Sequence, residues 1–140
     1  MEPTHSQTPS SLLRQKRALQ SCVAVLAAIP LGIGAAGVAI GTSYLGAEGP
    51  TIDLDSHFRY LSGIFMALGV VFYSCVPAIE HKTARFGLAA ALVFVGGIGR
   101  LVALLAMGAP TWPHLIGLGL ELGVVPALAL WQRRVARRFI

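Results

Sequence analysis

The sequence predicts an all-α protein: four transmembrane helices in an antiparallel bundle, with both termini on the cytoplasmic side. Three observations carry this expectation. Four apolar stretches each reach the roughly 20 residues that a helix needs to cross a hydrocarbon core of about 30 Å. Charged residues make up 12% of the 140-residue chain and hydrophobic ones 55%, whereas soluble domains carry about 25% charged residues. The Lys and Arg residues cluster in three segments that four alternating spans bring to one face. A domain of this size has too little interior to hide so much apolar surface from water, and a lipid-facing exterior removes that need.

Residues 1–17 are polar, with Pro3, Pro9 and several Ser and Thr, and read as a disordered or weakly helical tail. The tail ends in Arg14, Lys16 and Arg17. The transmembrane domain is expected over residues 18–135, with spans at about 19–45, 57–79, 85–107 and 112–131, and a basic end over 136–140. The first span follows basic residues, as a signal peptide does, but its apolar run exceeds the roughly 7–15 residues of such a segment. Helices are required, because a lone strand in lipid leaves its backbone groups unpaired, and the alternation of a barrel strand is absent. Trp112 and Trp131 bracket the fourth span, about 28 Å apart along a helix, as an aromatic belt does. Pro30 and Pro126 fall inside spans and favour kinks.

The formal net charge is +5. The basic residues sit at the ends of apolar runs and not in a stripe with aromatics, which points to lipid and not nucleic acid as the partner. Arg14, Lys16, Arg17, Lys82, Arg85, Arg133, Arg134, Arg137 and Arg138 share the face that the positive-inside rule makes cytoplasmic. The segment from Gly46 to Ser56 holds Glu48, Asp53 and Asp55 instead. Cys22 and Cys75 lie near the reducing side and read as packing residues. Gly37–Gly41 and Gly119–Gly123 are small-xxx-small pairs that allow close helix approach. Gly32-Ile-Gly34-Ala-Ala-Gly37 matches a dinucleotide fingerprint, but inside a span it has no strand before it and is set aside.

Three ionisable residues fall inside or at the edge of the spans: Arg59, Arg100 and Glu121. Such residues are costly in lipid, face the bundle interior and have partners. Arg100 lies about 10 Å below the outer end of span three, and Glu121 about 14 Å below that of span four. Side chains lean toward the helix N-terminus, so the two groups meet at one level and are expected to pair. Arg59 follows Asp55 by four residues, a favourable ion-pair spacing; Asp55 or Ser56 is also placed to cap span two. His114, Gly117 and Glu121 share a face. His57 and His114, with Asp53 and Asp55, lie at the outer surface without the spacing of a zinc site.

Two readings of this constellation stand side by side. One is a buried ion pair that fixes helix register. The other is an outward-opening polar pocket in which Arg59, Arg100, Glu121, His114, Asp55 and His57 hold a small amphipathic ligand or lipid. No nucleophile–base pair, phosphate loop or CxxC motif is present, and no cofactor is named by any residue pattern. The expected function is therefore a non-enzymatic binding or accessory protein, also able to pack in a larger membrane complex or homo-oligomer. The alternatives are a membrane enzyme, quinone-linked or an isomerase, with Glu121 as acid/base, and a subunit of an oligomeric transporter.

Asp55-Ser-His-Phe-Arg59-Tyr-Leu-Ser-Gly63 opens span two, Gly99-Arg100-Leu101 follows in span three, Gly108-Ala-Pro110 makes the outer turn, and Glu121-Leu-Gly-Val-Val-Pro126 lies in span four before Trp131. Together these resemble the bacterial inner-membrane family classed as domain of unknown function 4345, over roughly residues 20–135. That resemblance implies the four-helix fold and an inner-membrane location, and highlights Arg59, Arg100 and Glu121 without naming a reaction. More distantly the bundle is similar to DoxX-like four-helix proteins, some of them linked to quinone redox chemistry.

Overall fold

A computed structural model describes residues 9–46 and 51–139. Helix α1 runs Pro9–Ile40 and continues as a 3-10 turn, Gly41–Leu45; α2 runs Ile52–Cys75 and continues as a second, Val76–His81. Helix α3 runs Thr83–Met107, and the last span consists of α4 (Trp112–Gly119), a π-helical turn (Leu120–Val124) and α5 (Val125–Ala136). No strand occurs among the described residues. Among the described residues four helical stretches are long and apolar enough to cross a membrane: Ser10–Leu45, Ile52–His81, Thr83–Met107 and Trp112–Ala136. The shorter two have 25 residues, about 38 Å of helix, which exceeds the hydrocarbon thickness. Large apolar side chains of the spans stay uncovered, with Leu105 at 78%, Val25 at 71% and Leu88 at 65% exposure. In water that surface would drive association; in lipid it is solvated.

The boundaries depart from expectation in three places. Residues 9–17, read as part of the tail, are already helical; residues 1–8 and Glu48 lie outside the described residues. The second helix starts at Ile52 and not near His57, because Thr51 caps it: the Thr51 hydroxyl accepts from the Leu54 N–H at 3.3 Å. Asp55 therefore sits inside the first turn, where a carboxylate also favours the helix N-terminus, and is free to act elsewhere. The last span extends to Ala136 and contains the π turn.

The described residues form two compact units: those within Ser21–Pro77, and those up to Gln20 together with those from Ala78 onward. In the first unit α1 and α2 form an antiparallel hairpin, with close contact where glycine permits it. A Cβ on Gly34 would stand 2.6 Å from the Met66 backbone N, and one on Gly37 would meet Ser62. From the other side, a Cβ on Gly69 would stand 2.7 Å from Leu31. In lipid, such backbone-to-backbone packing replaces the hydrophobic driving force.

In the second unit, α3 runs antiparallel to the α4–α5 span. Its buried apolar side chains are Leu19, Ile79, Phe86, Ala89, Ala90, Val135 and Ala136. The chain leaves helical geometry at Ala78 (φ −136°, ψ 53°), and in the turn that follows the Ile79 carbonyl accepts from the Lys82 N–H at 3.4 Å. The buried Gln132 amide donates to that carbonyl at 2.7 Å and to the Thr83 hydroxyl at 2.9 Å. Beside it, the Lys16 ammonium donates to the buried Glu80 carboxylate at 2.6 Å, joining the start of α1 to the connection before α3.

Candidate functional site

Arg100 and Glu121 pair, as their depths lead one to expect. The Arg100 guanidinium donates through Nε to Glu121 Oε2 at 2.9 Å and through Nη2 to Oε1 at 3.0 Å. Two parallel bonds of this kind fix the plane of both groups. The Arg100 side chain is 32% exposed and that of Glu121 12%.

Local backbone features create the pairing. Pro126 has no N–H, so the helix loses one ladder bond there. Just before it the ladder slips: the Val125 N–H donates to the Leu120 carbonyl, five residues back. The π turn that results holds Glu121. Turns of this type insert one residue, re-aim the side chains they carry and recur at functional sites. The widened turn presses against α3 at Gly97, where a Cβ would stand 2.9 Å from Glu121 Cβ and 2.7 Å from Leu122. Gly117, one turn earlier, lies under the guanidinium, and a Cβ there would be 3.7 Å from Arg100 Cζ. Two glycines thus make room, one for the acid's backbone and one for the arginine's head group.

The other expected site residues are placed differently. Arg59 has an acid of its own: its Nε donates to Asp55 Oδ2 at 2.6 Å. Its Nη1 donates to the Val38 and Ala39 carbonyls at 2.6 and 3.1 Å. These are among the last carbonyls of α1, which have no partner within the helix and carry the negative end of its dipole. Asp55 Oδ1 accepts from the Thr42 backbone N–H at 2.8 Å and from the Thr42 hydroxyl at 3.1 Å. The two residues therefore clamp the end of the α1–α2 hairpin. Gly41 makes the clamp possible: its φ is +68°, and a Cβ there would collide with Asp55 Oδ1 and the Arg59 guanidinium. The Arg59–Asp55 pair expected from the i,i+4 spacing is thus present, and it serves the hairpin.

His114 Nδ1 lies 3.0 Å from the Thr111 hydroxyl, at the start of α4. His57 is exposed, with its ring 6.5 Å from that of Tyr60. Among the described residues no three His, Cys, Asp or Glu side chains converge as metal ligands. Gly119 and Gly123, expected to sit at a helix contact, face open space: nothing lies within 4 Å of where a Cβ on either would stand. The close approach occurs at Gly97 instead.

Sequence reasoning passed over Glu80, Lys16 and Gln132. A signal was present: Glu80 is the one carboxylate in a segment otherwise basic, and Gln132 is the polar residue between an interfacial tryptophan and a run of arginines.

A family model described as Domain of unknown function (DUF4345) matches residues 18–132. No curated protein and no solved structure matches the chain.

Proposed function

Because the chain belongs to the family described as Domain of unknown function (DUF4345), which carries no activity with it, we propose a function from the site alone: a small inner-membrane binding or accessory protein that holds a small amphipathic ligand or lipid at Arg100. The ligand presents a carbonyl or anionic group to the guanidinium. One observation carries this reading. A guanidinium has five N–H donors, and Glu121 takes two of them. The Nη1 edge has no acceptor among the described residues, in a span where an unmet donor is costly. Glu121 holds the guanidinium flat, Gly117 leaves its face open, and the 32% exposure gives access.

Binding is favoured over the enzyme reading because both Glu121 oxygens already accept from Arg100, which makes the carboxylate the anchor that orients the guanidinium. Arg59 and Asp55 serve the hairpin clamp, so the ligand's partners reduce to Arg100, with His114 at the mouth of the same helix face. The basic residues at both ends and in the 76–82 connection support a cytoplasmic location for both termini of a bacterial inner-membrane protein.

The test is extraction of the full chain from native membranes, wild type beside Arg100→Gln, with mass spectrometry of the small molecules that accompany each. A carbonyl-bearing or anionic amphiphile enriched with the wild type and lost from Arg100→Gln is expected. Identical small-molecule profiles would remove the ligand reading. Reporter fusions at each terminus test the orientation, and a periplasmic readout at either end would overturn it.

A further inference from the structure

The second compact unit contains another cluster of arginines, at the far end of the same hairpin from Arg100. Arg14, Arg17, Arg133, Arg134 and Arg137 are all exposed, and none has a side-chain partner among the described residues. The unit's described carboxylates are Glu80, held by Lys16, and Glu121, held by Arg100. The charge at this end is therefore unneutralised from within.

Within the cluster, Leu130, Arg133 and Arg137 stand at i, i+3 and i+7, one face of α5. Leu130 is 57% exposed, one turn deeper than Arg133, so the face passes from apolar to cationic toward the chain terminus. Gln132, Val135 and Ala136 are buried on the opposite side, which keeps this face outward. Against it lies α3: the Arg133 guanidinium sits 3.7 Å from the place of a Cβ on Gly87. Ala84 and Ala91 continue the Gly87 face at helical spacing, and both are exposed. The result is an outward face with small residues on its α3 side, an apolar inner part and two arginines toward its end.

We infer that this face binds an anionic phospholipid, its phosphate held by Arg133 and Arg137 and its acyl chain laid along Leu130 and the alanine–glycine wall of α3. The banding fits a phospholipid in particular, because a free phosphate or a soluble acidic partner has no use for Leu130. Guanidinium forks match phosphate geometry in two bonds. This site is separate from Arg100 and does not depend on the ligand proposed there.

The experiment is a native mass-spectrometry titration of the full chain in detergent, with phosphatidylglycerol, phosphatidylcholine and inorganic phosphate as probes. Each basic side chain near an anionic lipid surface is worth about a factor of five in affinity. Replacing both arginines, Arg133→Gln with Arg137→Gln, should then weaken phosphatidylglycerol binding by about thirtyfold. Arg14→Gln with Arg17→Gln removes the same charge elsewhere and should leave most of the affinity. Equal loss in the two double variants would mean diffuse attraction and overturn the site. So would equal binding of phosphatidylcholine, or displacement of the lipid by inorganic phosphate alone. If the glutamine variant fails to fold, photo-crosslinking of wild type with a diazirine-tagged phosphatidylglycerol decides: labels on α5 and the start of α3 support the site, and labels confined to other segments reject it.

Discussion

The Arg100–Glu121 pair can be measured by a double-mutant cycle, with Glu121→Leu, Arg100→Leu and both together. Removing one partner of a buried ion pair costs about 3–5 kcal/mol, chiefly through the charge left behind. Arg100→Leu should reach that range, because the Glu121 side chain is 12% exposed and its stem is short. Glu121→Leu should cost less, about 2–3 kcal/mol, because Arg100 is 32% exposed and its long stem can carry the charge toward the interface. The double variant exchanges both charges for apolar side chains of similar bulk and should return to within about 1 kcal/mol of wild type. The cycle then yields a coupling of several kcal/mol. Unfolding in mixed micelles by sodium dodecyl sulfate, followed by the fluorescence of Trp112 and Trp131, reads the free energy across the span that holds Glu121. Costs that simply add in the double variant would refute the pairing, since independent sites add and contacting ones do not.

Three further outcomes follow from the glycines and from Gln132. Gly41→Ala should destabilise the α1–α2 hairpin by at least about 1–2 kcal/mol, the penalty of a left-handed backbone for a residue with a Cβ, and more through collision with Asp55; the same micelle titration measures it, and wild-type stability would show that the clamp is not formed. Gly97→Ala should cost about 1–3 kcal/mol by overpacking against Leu122 and Glu121, whereas Gly96→Ala, one residue earlier and facing open space, should be neutral or stabilise by about 0.4–1 kcal/mol; reversal of that order would place the wrong face of α3 against the last span. Gln132→Leu should cost about 0.5–1.5 kcal/mol, the net worth of a hydrogen bond, because it removes the 2.7 Å bond to the buried Ile79 carbonyl and leaves that oxygen only the Lys82 N–H at 3.4 Å, and an unchanged unfolding midpoint would show that the Gln132 bond adds nothing to stability.

The spans were legible because hydrophobicity over about 20 residues is a summed property and local sequence contains all of it. The Arg100–Glu121 pair was legible for a related reason: depth along an antiparallel hairpin is counted in residues, and two charges at one level in lipid have strong cause to meet. The helix starts were less so. Pro9 and Thr51 each begin a helix earlier than hydropathy marks it, since a helix continues past the hydrocarbon edge wherever capping and packing allow. The clamp at Asp55 was half visible: the i,i+4 spacing announced the ion pair, but its bonds to Thr42 and to the α1 carbonyls join positions far apart in the chain.

Residue order by itself therefore determined that the chain is helical, that it has four segments fit to cross a membrane, and where its charges stand along each of them. The tertiary structure decided what those charges touch. Arg59 and Arg100 are alike in sequence, each an arginine beside an apolar run, yet one closes a hairpin end and the other keeps unspent donors beside a glycine. Depth is a one-dimensional quantity and can be counted along a helix. Which way a side chain turns depends on neighbours brought in from other helices, and on slips such as the π turn at Leu120–Val124 that no local count anticipates.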